Sequence, residues 1–192
     1  MSTPPQQAAH TPIPLGTWEV THASKLEFAA KSLWGMVTVK GSFSEFSGRL
    51  QVTPTGSSGE LTIAAKSFDT RNRKRDEHLR SADFLDTDAH PQLSFTVAAI
   101  TPGGSDQVEI VGDLILPAGP LRLRLPVTVA VSDTDRLYLL TTAAVTRAQL
   151  QMPWNRMGMI RDPVRLSAEL ELNRASGPGE TVAQSPDITF SR

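Results

Sequence analysis

Apolar residues recur at every second position through most of this chain. Leu26 and Phe28, Leu61 and Ile63, and Leu93, Phe95, Val97 and Ala99 each keep one parity. Val108, Ile110, Gly112, Leu114 and Leu116 follow the same rule, as do Leu121, Leu123 and Leu125, then Val127, Val129 and Val131. Alternation is cleanest from Val164 through Leu166, Ala168 and Leu170 to Leu172, and an apolar, β-branched run fills Leu137–Val145. A period of two puts alternate side chains on opposite faces of a strand, so one face packs inward and the other meets water. Turn-forming clusters separate the runs at 54–59, 102–106, 117–120 and 132–135. About eight strands with tight connections predict an all-β antiparallel domain, and the period alone leaves both a sandwich and an up-and-down barrel open.

One segment breaks this pattern. The charged run around Arg73–Ser81 reads as a short helix set between strands. Asn72 or Asp69 can cap it, and Asp76 and Glu77 fall in its first turn, where the helix dipole favours anions. Leu79 and Phe84 are positioned to anchor it over the sheet. A second irregular stretch, Met152–Met159, interrupts the last strands with bulky apolar residues.

Composition bounds the rest. With 192 residues the chain supports one domain with a full core, and the folded body is expected over 17–174. Residues 1–16 and 175–192 are rich in small and polar residues and read as flexible tails. Nineteen basic against twenty acidic residues give a net charge of −1, which argues against a dedicated nucleic-acid binder. The absence of cysteine excludes disulfides, thiol chemistry and thiolate-bound metals. Met1–Gly16 has neither the basic segment nor the apolar run of a secretory signal, and no stretch approaches ~20 consecutive apolar residues. These readings predict a cytoplasmic protein without a transmembrane helix.

Five ordered segments carry a family resemblance. They are Trp18–Val20 with His22–Phe28, Val39–Gly48, Ser67–Thr70 followed by Arg75–Asp86, His90–Phe95, and Val111–Leu114. Over roughly 17–172 the chain resembles the YceI-like, polyisoprenoid-binding family. That resemblance implies an eight-stranded antiparallel, lipocalin-like β-barrel with its short helix near 73–81 beside the mouth. It also implies an elongated apolar cavity for a polyisoprenoid or another long amphiphilic chain, with no cofactor. The chain departs from the family at Pro117–Pro120, where a polar threonine is usual, and at Arg156–Met159, where an aromatic–glycine pair is common.

Eight strands close around an interior that can admit one ligand. Burying an apolar chain gains about 0.8 kcal/mol per methylene, so a long prenyl or acyl chain would bind well. A dry cavity of roughly 500 Å³ would cost on the order of 12 kcal/mol, comparable to the whole stability of a domain. The expected lining residues are Phe28, Phe43, Phe46, Ile63, Phe84, Phe95, Val97, Leu114, Leu139 and Met157; for any one of them plain core packing is the competing reading. Arg75, His78 and Arg80 are the candidates for a phosphate or carboxylate head group. Against that stands a structural reading, in which nearby acids neutralise the arginines and Arg75-Asp76 locks the helix to the barrel. No catalytic residue and no metal ligand is expected: His22, His78 and His90 lack ligand spacing, and His78, Ser81 and Asp83 on one helix cannot form a triad. The expected function is to bind, carry or sequester a long-chain lipid; the alternative is a small hydrolase or isomerase acting on an apolar substrate in the same cavity. A homodimer is compatible with either.

Overall fold

The computed structural model describes residues 12–32, 36–82, 84–133, 135–150 and 160–175. The alternating runs form strands β1 (Gly16–Val20), β2 (Lys25–Ser32), β3 (Val37–Phe43), β4 (Phe46–Thr53), β5 (Gly56–Ala64) and β6 (Phe68–Asp69). After the helix α1 (Arg73–Arg80) come β7 (Gln92–Pro102), β8 (Gln107–Leu116), β9 (Gly119–Asp133), β10 (Arg136–Val145) and β11 (Ile160–Arg174). Eight of them, in the order β1-β4-β5-β7-β8-β9-β10-β11, form an antiparallel ring closed by Trp18↔Arg174, Glu19↔Asn173 and Val20↔Leu172. Closure gives each strand of the ring a neighbour on both sides.

The other three strands extend the wall. β2 pairs with the first part of β11, from Ile160↔Ser32 to Glu169↔Lys25, and β3 and β6 follow beside it. β1 and β2 thus share β11, and the chain bends between them. Glu171 sits at that bend, and the buried Ser24 serves it in place of a strand. Its hydroxyl donates to the Glu171 carbonyl at 3.1 Å and accepts from the Glu171 amide at 2.9 Å. The serine thus gives the Glu171 amide a partner that the bend would otherwise deny it, while the Glu171 carbonyl also accepts from the Thr21 amide at 2.8 Å.

The barrel is packed at the β1 end. Ile13, Trp18, Val108, Leu137 and Leu172 are at most 2 % exposed. The Trp18 indole N–H donates to the Pro14 carbonyl at 3.0 Å, and the Arg174 guanidinium lies 4.6 Å from the indole centroid. This corrects the expected N-terminal tail. Residues 12–16 belong to the fold, because Ile13 plugs the barrel end and Gly16 pairs with Val52. A single isoleucine between two prolines has no periodicity to betray it. The remaining tail residues, 1–11 and 176–192, lie outside the described residues.

Candidate ligand cavity

Toward the other end the barrel is hollow. A cavity of about 910 Å³ opens between the inner faces of β2, β3, β5 and β7–β11. Its lining is aliphatic and aromatic, and it follows the alternation: Leu26, Phe28 and Ala30 from β2, and Leu166, Ala168 and Leu170 from β11. Phe28, Phe43, Phe95, Leu114 and Leu170 point inward yet remain half-buried, unlike the fully covered side chains at the β1 end. They face a lumen instead of a partner.

Two glycines help keep that lumen open. Gly41 stands opposite Phe28, and a Cβ there would lie 2.5 Å from the Phe28 ring. At Gly112 a Cβ would meet the Phe95 ring at 2.4 Å and the Thr96 carbonyl oxygen at 2.5 Å. Each ring lies across its glycine, against the wall. Phe28, Phe43 and Phe68 form a cluster with centroids 6.0–6.4 Å apart, which stiffens the β2–β3–β6 wall.

α1 borders the cavity. The Asn72 side chain caps it by accepting from the Arg75 amide at 3.1 Å, whereas Asp69 accepts from the Arg71 amide at 2.6 Å in the turn before it. The helix is held through Thr70. Buried Asp76 accepts from the Thr70 hydroxyl at 2.5 Å and from its amide at 3.1 Å. Arg75 donates from Nε to the Thr70 hydroxyl and from a terminal nitrogen to the Thr70 carbonyl, both at 2.7 Å. Two adjacent charged residues thus grip one threonine, which ties the helix to the end of β6. The acids expected to neutralise the arginines do so only in part: Arg73 pairs with Glu77 at 2.9 Å, while Arg75 and Arg80 bond to neutral oxygens.

Of the expected lining residues, Phe28, Phe43, Ile63, Phe84, Phe95, Val97, Leu114 and Leu139 touch the cavity. Phe46 does not. It packs with Leu26, Ile63 and Leu93 within the wall. Met157 lies outside the described residues. Among the head-group candidates, Arg75 and His78 reach the cavity, and the His78 ring stacks edge-on against Phe84 at 4.6 Å. Arg80 is turned away from it: it donates to the Phe68 carbonyl at 2.8 Å, and its guanidinium lies 5.0 Å from the Phe68 ring centroid. The sequence reading missed Thr70, whose only signal was its place at the end of the Ser67–Thr70 motif. It also missed Leu79, Leu85 and Leu123 on the lining.

The remaining chemistry is sparse. His22, His78 and His90 are all exposed, and among the described residues no three histidine or acidic side chains gather as a metal site. The polar residues touching the cavity come from α1, as Arg75 and His78 do, or from outward-alternating strand positions such as Glu27 and Glu60. One inward-alternating exception, Thr141, spends its hydroxyl on the Pro126 carbonyl at 2.8 Å.

Comparison with known proteins places this geometry. Residues 18–172 match the model of a family described as the YceI-like domain. Protein YceI of Shigella flexneri is 40 % identical over 79 residues, which is 40 % of this chain and 41 % of that protein. The match thus spans less than half the length of that relative. BcnA of Burkholderia cenocepacia superposes with a TM-score of 0.71 at 24 % identity, over 79 % of this chain and 98 % of that one. A polyisoprenoid binding domain from Saccharophagus degradans, implicated in plant cell wall breakdown, superposes at 0.69 with 18 % identity, over 84 % of this chain and all of that one. At these identities the likeness concerns the fold.

Proposed function

The chain belongs to the YceI-like domain family, and on that premise we propose that its barrel binds and carries one long-chain amphiphilic lipid, a polyisoprenoid or a lipid of similar shape. The observation that carries this reading is the cavity of about 910 Å³ with its apolar lining. Left dry and empty, such a volume would cost on the order of 22 kcal/mol by the slope for core cavities, more than the whole stability of most domains. Water could fill it with roughly 30 molecules, but each needs two to four polar partners that aliphatic walls do not offer. A hydrocarbon chain removes the cost, gaining about 0.8 kcal/mol for each buried methylene.

The head group would sit beside α1. Arg75 spends two of its five N–H donors on Thr70 and has the rest for a phosphate or carboxylate, with His78 next to it. Holding is favoured over catalysis because the side chains facing the lumen carry hydrocarbon, not a convergent acid, base or nucleophile. The proposal keeps the cytoplasmic location expected from the sequence, which fractionation of cells producing the full-length protein tests. No described helix is long and apolar enough to cross a membrane. Organic extraction of the purified protein followed by mass spectrometry should yield a stoichiometric lipid, and the extracted protein should bind a fluorescent long-chain fatty acid saturably. An extract without lipid, together with no saturable binding, refutes the proposal.

A further inference from the structure

The β2–β3 wall has two unlike faces. On the inside, Phe28, Ala30 and Val39 border the cavity. Toward the strand ends, beyond the outward-facing Glu27, the outside is basic. Ala29 pairs with Arg165 on one side and Lys40 on the other, and Lys31 lies two residues further toward the strand ends. Lys31, Lys40 and Arg165 are exposed, and among the described residues none of them forms an ion pair. At the end of this wall Met36 is 76 % exposed and Val37 44 %. The same end of the barrel carries a third exposed apolar residue. Leu116 packs in one cluster with Ala30, and its neighbour Ile115 is 42 % exposed.

We propose that this end of the barrel docks on an anionic lipid bilayer, with Met36 and Val37 entering the interface and Lys31, Lys40 and Arg165 meeting the phosphates. Three observations select a bilayer over other occupants. Unpaired cations behind an exposed apolar tip complement a surface whose charge lies outside its hydrocarbon. The protein as a whole has a net charge of −1, so the cations are a local feature. A second copy meeting this patch across a two-fold axis would set lysine against lysine. Docking also gives the cavity a use for its wall. A tip seated in the interface makes the inner face of β2 and β3 continuous with the acyl layer, so a chain can pass into the lumen without crossing water. The inference deepens the lipid-carrier reading and rests on it.

Co-sedimentation of the full chain with vesicles of phosphatidylcholine and phosphatidylglycerol in equal parts, and of phosphatidylcholine alone, tests the docking. Binding is expected to the mixed vesicles, to weaken as salt is raised, and to be much lower on phosphatidylcholine. Each cation near an anionic surface contributes about fivefold, so Lys31→Ala with Lys40→Ala should weaken binding about 25-fold. Met36→Asp should lower it further. These side chains are exposed, so the variants should keep the wild-type melting temperature and fatty-acid binding. Equal binding to both vesicle types, or variants that sediment like the wild type, overturns the inference. So does retention on an acidic protein surface without any binding to vesicles. Failure to dock by a chain that still takes up fatty acid sinks the docking alone, whereas loss of fatty-acid uptake by the wild type sinks the carrier reading.

Discussion

Replacing Thr70 by valine should loosen α1 while leaving the shape of the site nearly unchanged. The hydroxyl makes two bonds, donating to the buried Asp76 carboxylate at 2.5 Å and accepting from Arg75 Nε at 2.7 Å. Valine removes both but keeps the backbone amide and carbonyl that also hold the helix. A hydrogen bond to a charged group contributes about 1.5–3 kcal/mol, and Asp76 is too deep for water to replace it freely. Arg75 is only half-buried, so its lost acceptor adds at most about 1 kcal/mol. The sum is roughly 2–4 kcal/mol, which in a domain of this size lowers the melting temperature by about 5–15 °C. Thermal unfolding followed by circular dichroism measures it, with Thr70→Ser as the control. Serine keeps the hydroxyl and loses one methyl, so it should stay within about 1 kcal/mol of the wild type. A valine variant that melts with the wild type, or a serine variant that falls as far as valine, would refute the latch.

Four further outcomes follow from the geometry. Gly112→Ala should destabilise by about 1–3 kcal/mol in urea unfolding, because the new methyl meets the Thr96 backbone oxygen, which cannot swing away. Gly41→Ala should cost less stability and more binding, since the Phe28 ring can yield only toward the lumen; comparing the two by fatty-acid titration separates the effects. Leu114→Trp should occupy cavity volume, raising the melting temperature of lipid-free protein while weakening fatty-acid affinity, and a variant that binds as tightly as wild type would contradict the assigned lumen. Lys66, 2.6 Å from Asp88, holds that carboxyl below its ordinary range through a hydrogen bond and its charge. The pair's small contribution is therefore present above the ordinary aspartate range and lost as pH falls through the lowered value. NMR titration should find the Asp88 transition moved upward in Lys66→Gln.

The period of two reads most of the long strands, because strands of a barrel bury one face each and the sequence must say which; β4, where Gly48 interrupts the apolar alternation of Phe46, Leu50 and Val52, is an exception. Leu166, Ala168 and Leu170 announce β11 as plainly as they line its cavity. Charge and capping residues likewise placed α1 within a residue of its observed end. What stayed hidden depends on contacts distant in sequence. Ring closure comes from Trp18 meeting Arg174, and the plug comes from Ile13, whose segment has no repeat. Phe46 shows the limit of parity. It alternates inward like Leu50 and Val52, yet its neighbours Leu26 and Ile63 cover it before it reaches the lumen.

Parity also says nothing about whether an interior is solid or hollow, since the inward face is apolar at both ends of this barrel. Side-chain volume decides that. At the β1 end the inward positions hold Trp18, Val108, Val129, Leu137 and Leu172, large enough to meet at the axis. Further along they include Ala30, Gly59, Ala143 and Ala168 on the lining, with Gly41 and Gly112 beneath the rings of Phe28 and Phe95. Eight strands fix the radius of the wall, so small residues on it leave a void that cannot collapse without distorting the ring. An open core of this kind fits the ligand-holding role proposed above. The charged motif at Arg75 and Asp76 then has a clear physical task, which is to hold a helix beside an interior that offers it little packing of its own. Thr70 supplies polar anchorage where a filled core would have supplied apolar contact.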